Sequence, residues 1–228
     1  SKHFDRSLMC RLMEDVDSTH HMLDTQYRMH PKISAWPSKQ YYDGMLRDAD
    51  EVSQKRLSWQ IPCGFKPLTF VSCDNAIEER GSHGSYLNKQ EANTVVKIFS
   101  RIREANQQLS IKIITYYSAQ VQLIRKVLRS ANFLRVSKIA VTVDSFQGSE
   151  ADVVILSFVR TKKSVGFLSD ARRLNVSLTR AKDLLIIVGN RKALADCNST
   201  DIRSLMMHLE KKNAYHEKIT LGLMKDKV

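Results

Sequence analysis

Four runs constrain the fold of this 228-residue chain more than any other feature: "IKIIT" (111–115), "AVTV" (140–143), "DVVILSFV" (152–159) and "DLLIIVG" (183–189). Each is nearly unbroken in β-branched and aliphatic residues. A strand with one wet face alternates apolar with polar, whereas strands written this way are covered on both faces, as in a parallel sheet between helical layers. The segments between them read as those helices. "SAQVQLIRKVLRS" separates the first two runs, and "SDARRLNVSLTR" precedes the last, with Ser169 or Asp170 as its cap. Asn88, with Glu91 three residues on, marks the start of a helix carrying Val95, Val96, Ile98, Phe99 and Ile102. The expectation is an α/β domain whose mainly parallel central sheet has the four runs at its centre and helices on its flanks.

Upstream, a helix is expected over Phe4–Glu14, then a short strand near Met22 and Leu23, then the polar turn "DTQYRMHP". Pro31 suits the first turn of the next helix, "PKISAWPSKQYYDG". "PLTFVSC" reads as a strand and "IEERGSHGSYLN" (77–88) as a mobile loop. The stretch from Arg191 to Val228 is charged and reads as helix with a loose tail. Three regions follow: a leading helix over 1–20, the main domain over 21–195, and a C-terminal extension over 196–228.

The net charge of +12 and pI near 9.6 favour an acidic partner, above all nucleic acid. Residues 97–138 concentrate the charge, with Lys97, Arg101, Arg103, Lys112, Arg125, Lys126, Arg129, Arg135 and Lys138 against Glu104 alone. Part of this is ordinary solvated helix face. The four cysteines are far apart with no CxxC pair, which argues against a disulfide framework and against a zinc site. Reduced thiols, no apolar run of membrane-spanning length and no signal-peptide core point to a soluble intracellular protein, in nucleus or cytoplasm.

Three turns are expected at strand ends, where open α/β sheets place ligands: "QYRMHP", "VDSFQGSE" and "RRLNVSLTR". Tyr27 offers an aromatic face and Arg28 a planar fork suited to phosphate oxygens. Gly148 permits a tight turn or a close approach, and Glu150 places an acceptor before the next strand. Arg173 and Arg180, seven residues apart, fall two turns along one helix face, while Arg172 points elsewhere. Each turn alone has an equally good structural explanation.

Together they resemble motifs IV, V and VI of superfamily 1 helicases, in the branch containing the nonsense-mediated-decay helicase and senataxin. The resemblance is carried in order by "LDTQYRMHPKIS", "VTVDSFQGSEADVVILS" and "VGFLSDARRLNVSLTRAKDLLIIVGN", and "IITYYSAQ" is similar to the family's TPYxxQ segment. It spans Leu23 to Asn190. It departs from the family pattern at Tyr116, where Pro is usual, at Ser149, where a basic residue is frequent, and at Ala171, where Pro is frequent. Such helicases have two RecA-like domains of the P-loop NTPase type, and the first holds the phosphate loop. This sequence has no GxxxxGK[ST], so the resemblance is to the second, C-terminal RecA-like domain.

The resemblance implies roles residue by residue. Arg28 and Arg180 would be arginine fingers reaching the γ-phosphate. Tyr27 would stack on adenine, with Gln26 beside it in the nucleotide site, and Glu150 would accept from the ribose hydroxyl, Gly148 permitting that approach. Single-stranded RNA or DNA would touch Thr115, Tyr116, Thr142, Asp144 and Ser145, with Asp144 orienting a hydroxyl or backbone group, and the nearby basic helices would add salt-dependent affinity. ATP and Mg²⁺ would be held mainly by the first RecA-like domain of the same polypeptide, with no metal ligands, membrane or oligomer expected for this chain. Alone it would be inactive. His30, in the MHP turn, is expected to be structural. The competing expectation is a non-catalytic nucleic-acid-binding or scaffold module that retains the fold.

Overall fold

The computed structural model describes residues 21–53 and 64–216, together with Leu8, Arg11 and Leu12. Most of the helix expected over Phe4–Glu14 therefore lies outside the described residues. The first strand is Thr25–Gln26 (β1), not the neighbourhood of Met22 and Leu23. Leu23 is 91% exposed, and the pairing begins where Arg47 N donates to Asp24 O and Ala49 N to Gln26 O. Pro31–Tyr41 (α1) follows, opened by Pro31 as expected, and His30 caps it by accepting from Lys32 N. Arg47–Asp48 (β2) then pairs parallel with β1, and Asp50–Ser53 (α2) closes this segment.

Leu68–Ser72 (β3) leads to Glu79–Arg80 (β4) and Tyr86–Leu87 (β5), an antiparallel hairpin where a mobile loop was expected. Gly81 N donates to Ser85 O across it, and Gly84 takes a positive φ at its tip. The edge of the Tyr86 ring packs on Tyr117, which holds the hairpin to the domain.

The remaining elements are Lys89–Ala105 (α3), Ile111–Thr115 (β6), Ser118–Ser130 (α4), Val136–Ile139 (α5), Ala140–Thr142 (β7), Ala151–Ser157 (β8), Ala171–Leu178 (α6), Ala181–Gly189 (β9), Arg191–Ala195 (α7), Thr200–Lys211 (α8) and Tyr215–His216 (β10). The caps are those the sequence promised: Asn88 for α3 and Asp170 for α6.

The main sheet has strand order β10-β3-β9-β8-β6-β7, and every pairing is parallel. β8 and β9 lie at its centre and are buried almost without exception. "AVTV" lies at an edge instead, because β7 has three residues, pairs with β6 alone and leaves Val141 and Thr142 half-buried. Successive residues of the central strands face opposite layers. Val154, Leu156, Leu185 and Ile187 pack with Ile33 and Trp36 of α1, Leu174 of α6 and Leu205 of α8. Val153, Ile155, Leu184 and Ile186 pack with Ile98 and Phe99 of α3 and Ile124 and Leu128 of α4. This alternation is why unbroken apolar runs were needed.

The stretch after Arg191 is helical, as expected, and adds a strand that the sequence did not announce. Ile202, Leu205 and Leu209 of α8 enter the first core, and β10 extends the main sheet beside β3, so residues 196–216 share the core of the preceding domain. Residues 217–228 lie outside the described residues. No helix among the described residues is long and apolar enough to cross a membrane.

Candidate functional site

The turn before α1 is built by Gln26. Its Oε1 accepts from Arg28 N at 2.9 Å and Met29 N at 2.7 Å, while its Nε2 donates to Met29 O at 2.8 Å and Asp48 Oδ1 at 2.5 Å. A side-chain amide has two donors and an acceptor with two lone pairs, so Gln26 is saturated. Its place is in shaping the turn rather than in touching a nucleotide. With Met29 buried beneath, Tyr27 is thrown outward and is 69% exposed. His30 N donates to Lys182 O at 2.7 Å, docking the turn against the start of β9.

That docking brings distant charges together. Arg28 Nε meets Glu150 Oε2 at 2.6 Å, and Arg28 Nη1 donates to Thr179 O at 3.2 Å. Lys182 Nζ holds the other carboxylate oxygen at 2.9 Å. Arg180 lies against the same group, donating from Nε to Val176 O at 3.0 Å and from Nη1 to Ser149 O at 3.1 Å. Hydrogen bonds from Arg28 and Lys182 hold the Glu150 carboxyl below its ordinary range. Burial, then the neighbouring Arg28 charge, pushes the Arg180 guanidinium down. Three cations thus share one carboxylate and several carbonyl oxygens, a surplus of positive charge suited to an anion with several oxygens.

Glu150 and Arg180 precede β8 and β9, where Ala151 N donates to Arg180 O, so the group sits at the amino ends of these strands. One expectation about placement is corrected. Arg173 and Arg180 do not share a helix face, because α6 ends at Leu178 with Thr179 as its cap. Gly148 takes φ +81°, and a Cβ there would meet no atom of the chain within 4 Å, so the turn itself needs the glycine for its backbone conformation and not for packing.

The residues expected to touch a strand lie at the opposite, carboxyl edge, and they divide. Thr115 is 1% exposed, which withdraws its hydroxyl from any external contact. Tyr116 is half-buried: its hydroxyl lies 2.6 Å from Ser177 Oγ and its ring packs edge-on against Phe158. Thr142 and Ser145 remain at the surface, locked in a reciprocal turn in which Thr142 N donates to Ser145 Oγ at 3.1 Å and Ser145 N to Thr142 Oγ1 at 3.3 Å. Asp144 orients an arginine rather than a hydroxyl or backbone group, accepting from Arg173 Nε at 3.1 Å. The Arg173 guanidinium also covers the exposed Phe167 ring at 5.2 Å. Lys182 was missed as a member of the first group, hinted at only by the "RAKD" spelling, and Arg173 was singled out with Arg180 where the fold pairs it with Asp144.

Beneath that edge lies a buried polar network. Glu91 Oε2 accepts from Ser157 Oγ at 2.7 Å and Val159 N at 2.8 Å, and Asn88 and Gln120 exchange hydrogen bonds beside it. Burial pushes the Glu91 carboxyl up to about 7. Next to it Arg160 Nε pairs with Glu78 Oε2 at 2.9 Å, with both residues buried, and the Arg160 guanidinium lies 4.1 Å from the Tyr86 ring centroid.

A family model described as an AAA domain matches residues 4–192. The chain belongs to that family. It is 42% identical over 182 residues to a putative regulator of nonsense transcripts 1 from Takifugu rubripes, covering 76% of this chain and 17% of the relative. It is 39% identical over 184 residues to the regulator of nonsense transcripts 1 of Caenorhabditis elegans, again 76% and 17%. With the helicase sen1 of Schizosaccharomyces pombe it shares 34% identity over 204 residues, 85% of this chain and 12% of the relative. The chain therefore spans roughly a sixth or less of these relatives' length. The resemblance in the four motifs holds: this is a second, C-terminal RecA-like domain of superfamily 1 helicases in that branch.

Proposed function

We propose that the chain is the C-terminal motor domain of an ATP-dependent nucleic-acid helicase, and that Arg28 and Arg180 act on a triphosphate held by the first RecA-like domain. One observation carries this reading. Two arginines far apart in sequence converge beside Glu150, with an exposed Tyr27 ring at the same turn, in a chain without a phosphate loop.

The donor set fits ATP in a cleft that a second domain completes. Bound there, ATP supplies the reactive phosphoanhydride and Mg²⁺ neutralises part of its charge. Arg28 exchanges Glu150 for a phosphate oxygen, which frees the carboxylate to accept from the ribose. Arg180 turns from the carbonyls of Val176 and Ser149 to the γ-phosphate, where charge shifts during transfer. Tyr27 stacks on the base. Because both arginines bind better when the domains are closed, nucleotide state biases the cleft, and the grip of Thr142 and Ser145 on a single strand changes with it. RNA is the favoured strand by analogy with the relatives.

The test is ATP turnover with single-stranded RNA, by this chain alone and joined to a first RecA-like domain. The chain alone should show none. In the two-domain protein Arg180→Ala should lower turnover about 10³- to 10⁵-fold, the range for arginine fingers. Unchanged turnover would remove Arg180 from the mechanism, whereas a two-domain protein with no turnover would favour the non-catalytic binding module.

A further inference from the structure

The basic stretch 97–138 was expected to assist the same single strand, but the fold places it elsewhere. α3 starts at the carboxyl edge, where Asn88 Nδ2 donates to Val159 O, and runs toward the amino edge where β6 begins. α4 starts after β6 and runs the same way, so its cations fall in its second half. At 1.5 Å per residue Arg129 lies about 16 Å along the axis from Ser118. Both helices cover the face of the sheet opposite to α1 and α6, which carry the Arg28 and Arg180 turns.

We propose that the outer face of α3, α4 and the 135–138 segment is a second polynucleotide site, one that holds the phosphate backbone of a nucleic-acid duplex. Lys97, Lys126, Arg129, Arg135 and Lys138 are all exposed, and among the described residues none has a carboxylate within 4.0 Å. The segment is fixed to the helix rather than left to wander: Arg125 donates to Ala140 O at 2.9 and 3.1 Å and to Ser137 O at 3.3 Å.

The chemistry of the face selects the partner. Single-strand sites stack bases on exposed aromatic rings. The large aromatic residues exposed among the described residues are Tyr27 and Phe167, both elsewhere, and Phe133 is packed on Phe99 with centroids 5.0 Å apart. Protein interfaces are anchored by buried aromatic and arginine clusters around an apolar centre. Leu134 alone among the exposed large hydrophobics belongs to the 97–138 stretch. Spaced cations on two rigid helices, without rings or an apolar centre, match what a duplex backbone presents, and such contacts bind by counterion release without reading sequence.

The test uses the full 228-residue chain with three probes of one sequence: blunt RNA duplex, blunt DNA duplex and the single strand, each titrated by fluorescence anisotropy at several salt concentrations. Lys97→Glu/Lys126→Glu/Arg129→Glu should weaken binding of at least one duplex tenfold or more. It should also flatten log K against log salt by about 0.9 for each phosphate that is no longer neutralised, while single-strand affinity changes less than twofold. Thr142→Ala/Ser145→Ala should show the reverse selectivity. A neutral set, Lys97→Gln/Lys126→Gln/Arg129→Gln, guards against a folding defect, with circular dichroism as the check. Duplex-selective loss supports the proposal, in the RNA or the DNA arm. Equal loss for all probes, or no loss for either duplex, overturns it; no loss would leave the face solvated or turned toward an acidic protein. None of these outcomes depends on ATP turnover, so this proposal and the motor reading fail separately.

Discussion

The two edges of the central sheet put the same residue types to opposite uses. At the amino edge Arg28, Arg180 and Lys182 lie half-exposed around one carboxylate, held by Glu150 and by the carbonyls of Thr179, Val176 and Ser149, which another acceptor can replace. At the carboxyl edge Arg160 and Glu78 are 5% and 8% exposed, with Thr161 N also donating to Glu78 at 2.7 Å. An exposed pair in high dielectric is worth little and can change partners; a buried pair is costly to break because the survivor is left charged and unpaired. The lesson is that arginine position along a strand does not separate an exchangeable surface arginine from a structural one. Burial and surplus charge do.

Substitutions can break that contrast, and Arg180→Ala should have the largest effect. Its loss of turnover in the two-domain protein, about 4–7 kcal/mol of transition-state stabilisation, should come with little change in unfolding. Arg160→Ala should do the opposite, lowering stability by about 3–5 kcal/mol in urea unfolding. A loss below about 1 kcal/mol would mean the buried pair behaves like a surface one.

Glu91 gives the carboxyl edge a pH signature. Its folded pKa, about 7, is raised above the usual carboxyl value by burial, so the folded state keeps a proton that the unfolded chain releases. The stabilisation is full below pH 4.5 and is lost as pH rises through about 7, by roughly 3 kcal/mol in all. Unfolding free energy measured across that window should fall, and Glu91→Gln should flatten the slope. A wild-type curve that rises through the window would contradict the buried, neutral carboxyl.

Two glycines sharpen the comparison. Gly166 has φ +55°, and a Cβ there would sit 2.7 Å from Arg160 Nη1 and 3.3 Å from the Tyr117 hydroxyl, so Gly166→Ala adds a clash with the buried network to the backbone strain. A cost of about 1–3 kcal/mol is expected. Gly148→Ala meets open space and should cost only the backbone part, about 1–2 kcal/mol. Equal melting shifts for the two would mean the network gives way. The smallest effect belongs to Glu150→Gln. Glu150 is stabilising above its ordinary pKa and less so as pH falls, but solvent screening limits the change to about 1 kcal/mol or less, read as a loss of pH dependence in the acid limb of unfolding.

The sequence by itself determined the parallel sheet, the Asn88 cap and the family, and narrowed the α6 cap to Ser169 or Asp170, because doubly covered strands must be written as unbroken apolar runs and the caps need particular short polar residues. It also marked Arg28, Tyr27, Glu150 and Arg180 through motif spelling. Only the tertiary structure decided which edge each motif occupies, since a turn between a helix and a strand reads alike at either end. It took Thr115 out of solvent, saturated Gln26 within its own turn and paired Asp144 with Arg173, none of which local pattern records. The fold also carried the basic helices to the opposite face of the sheet. Charge is legible residue by residue, but which charges share a surface depends on how the layers pack.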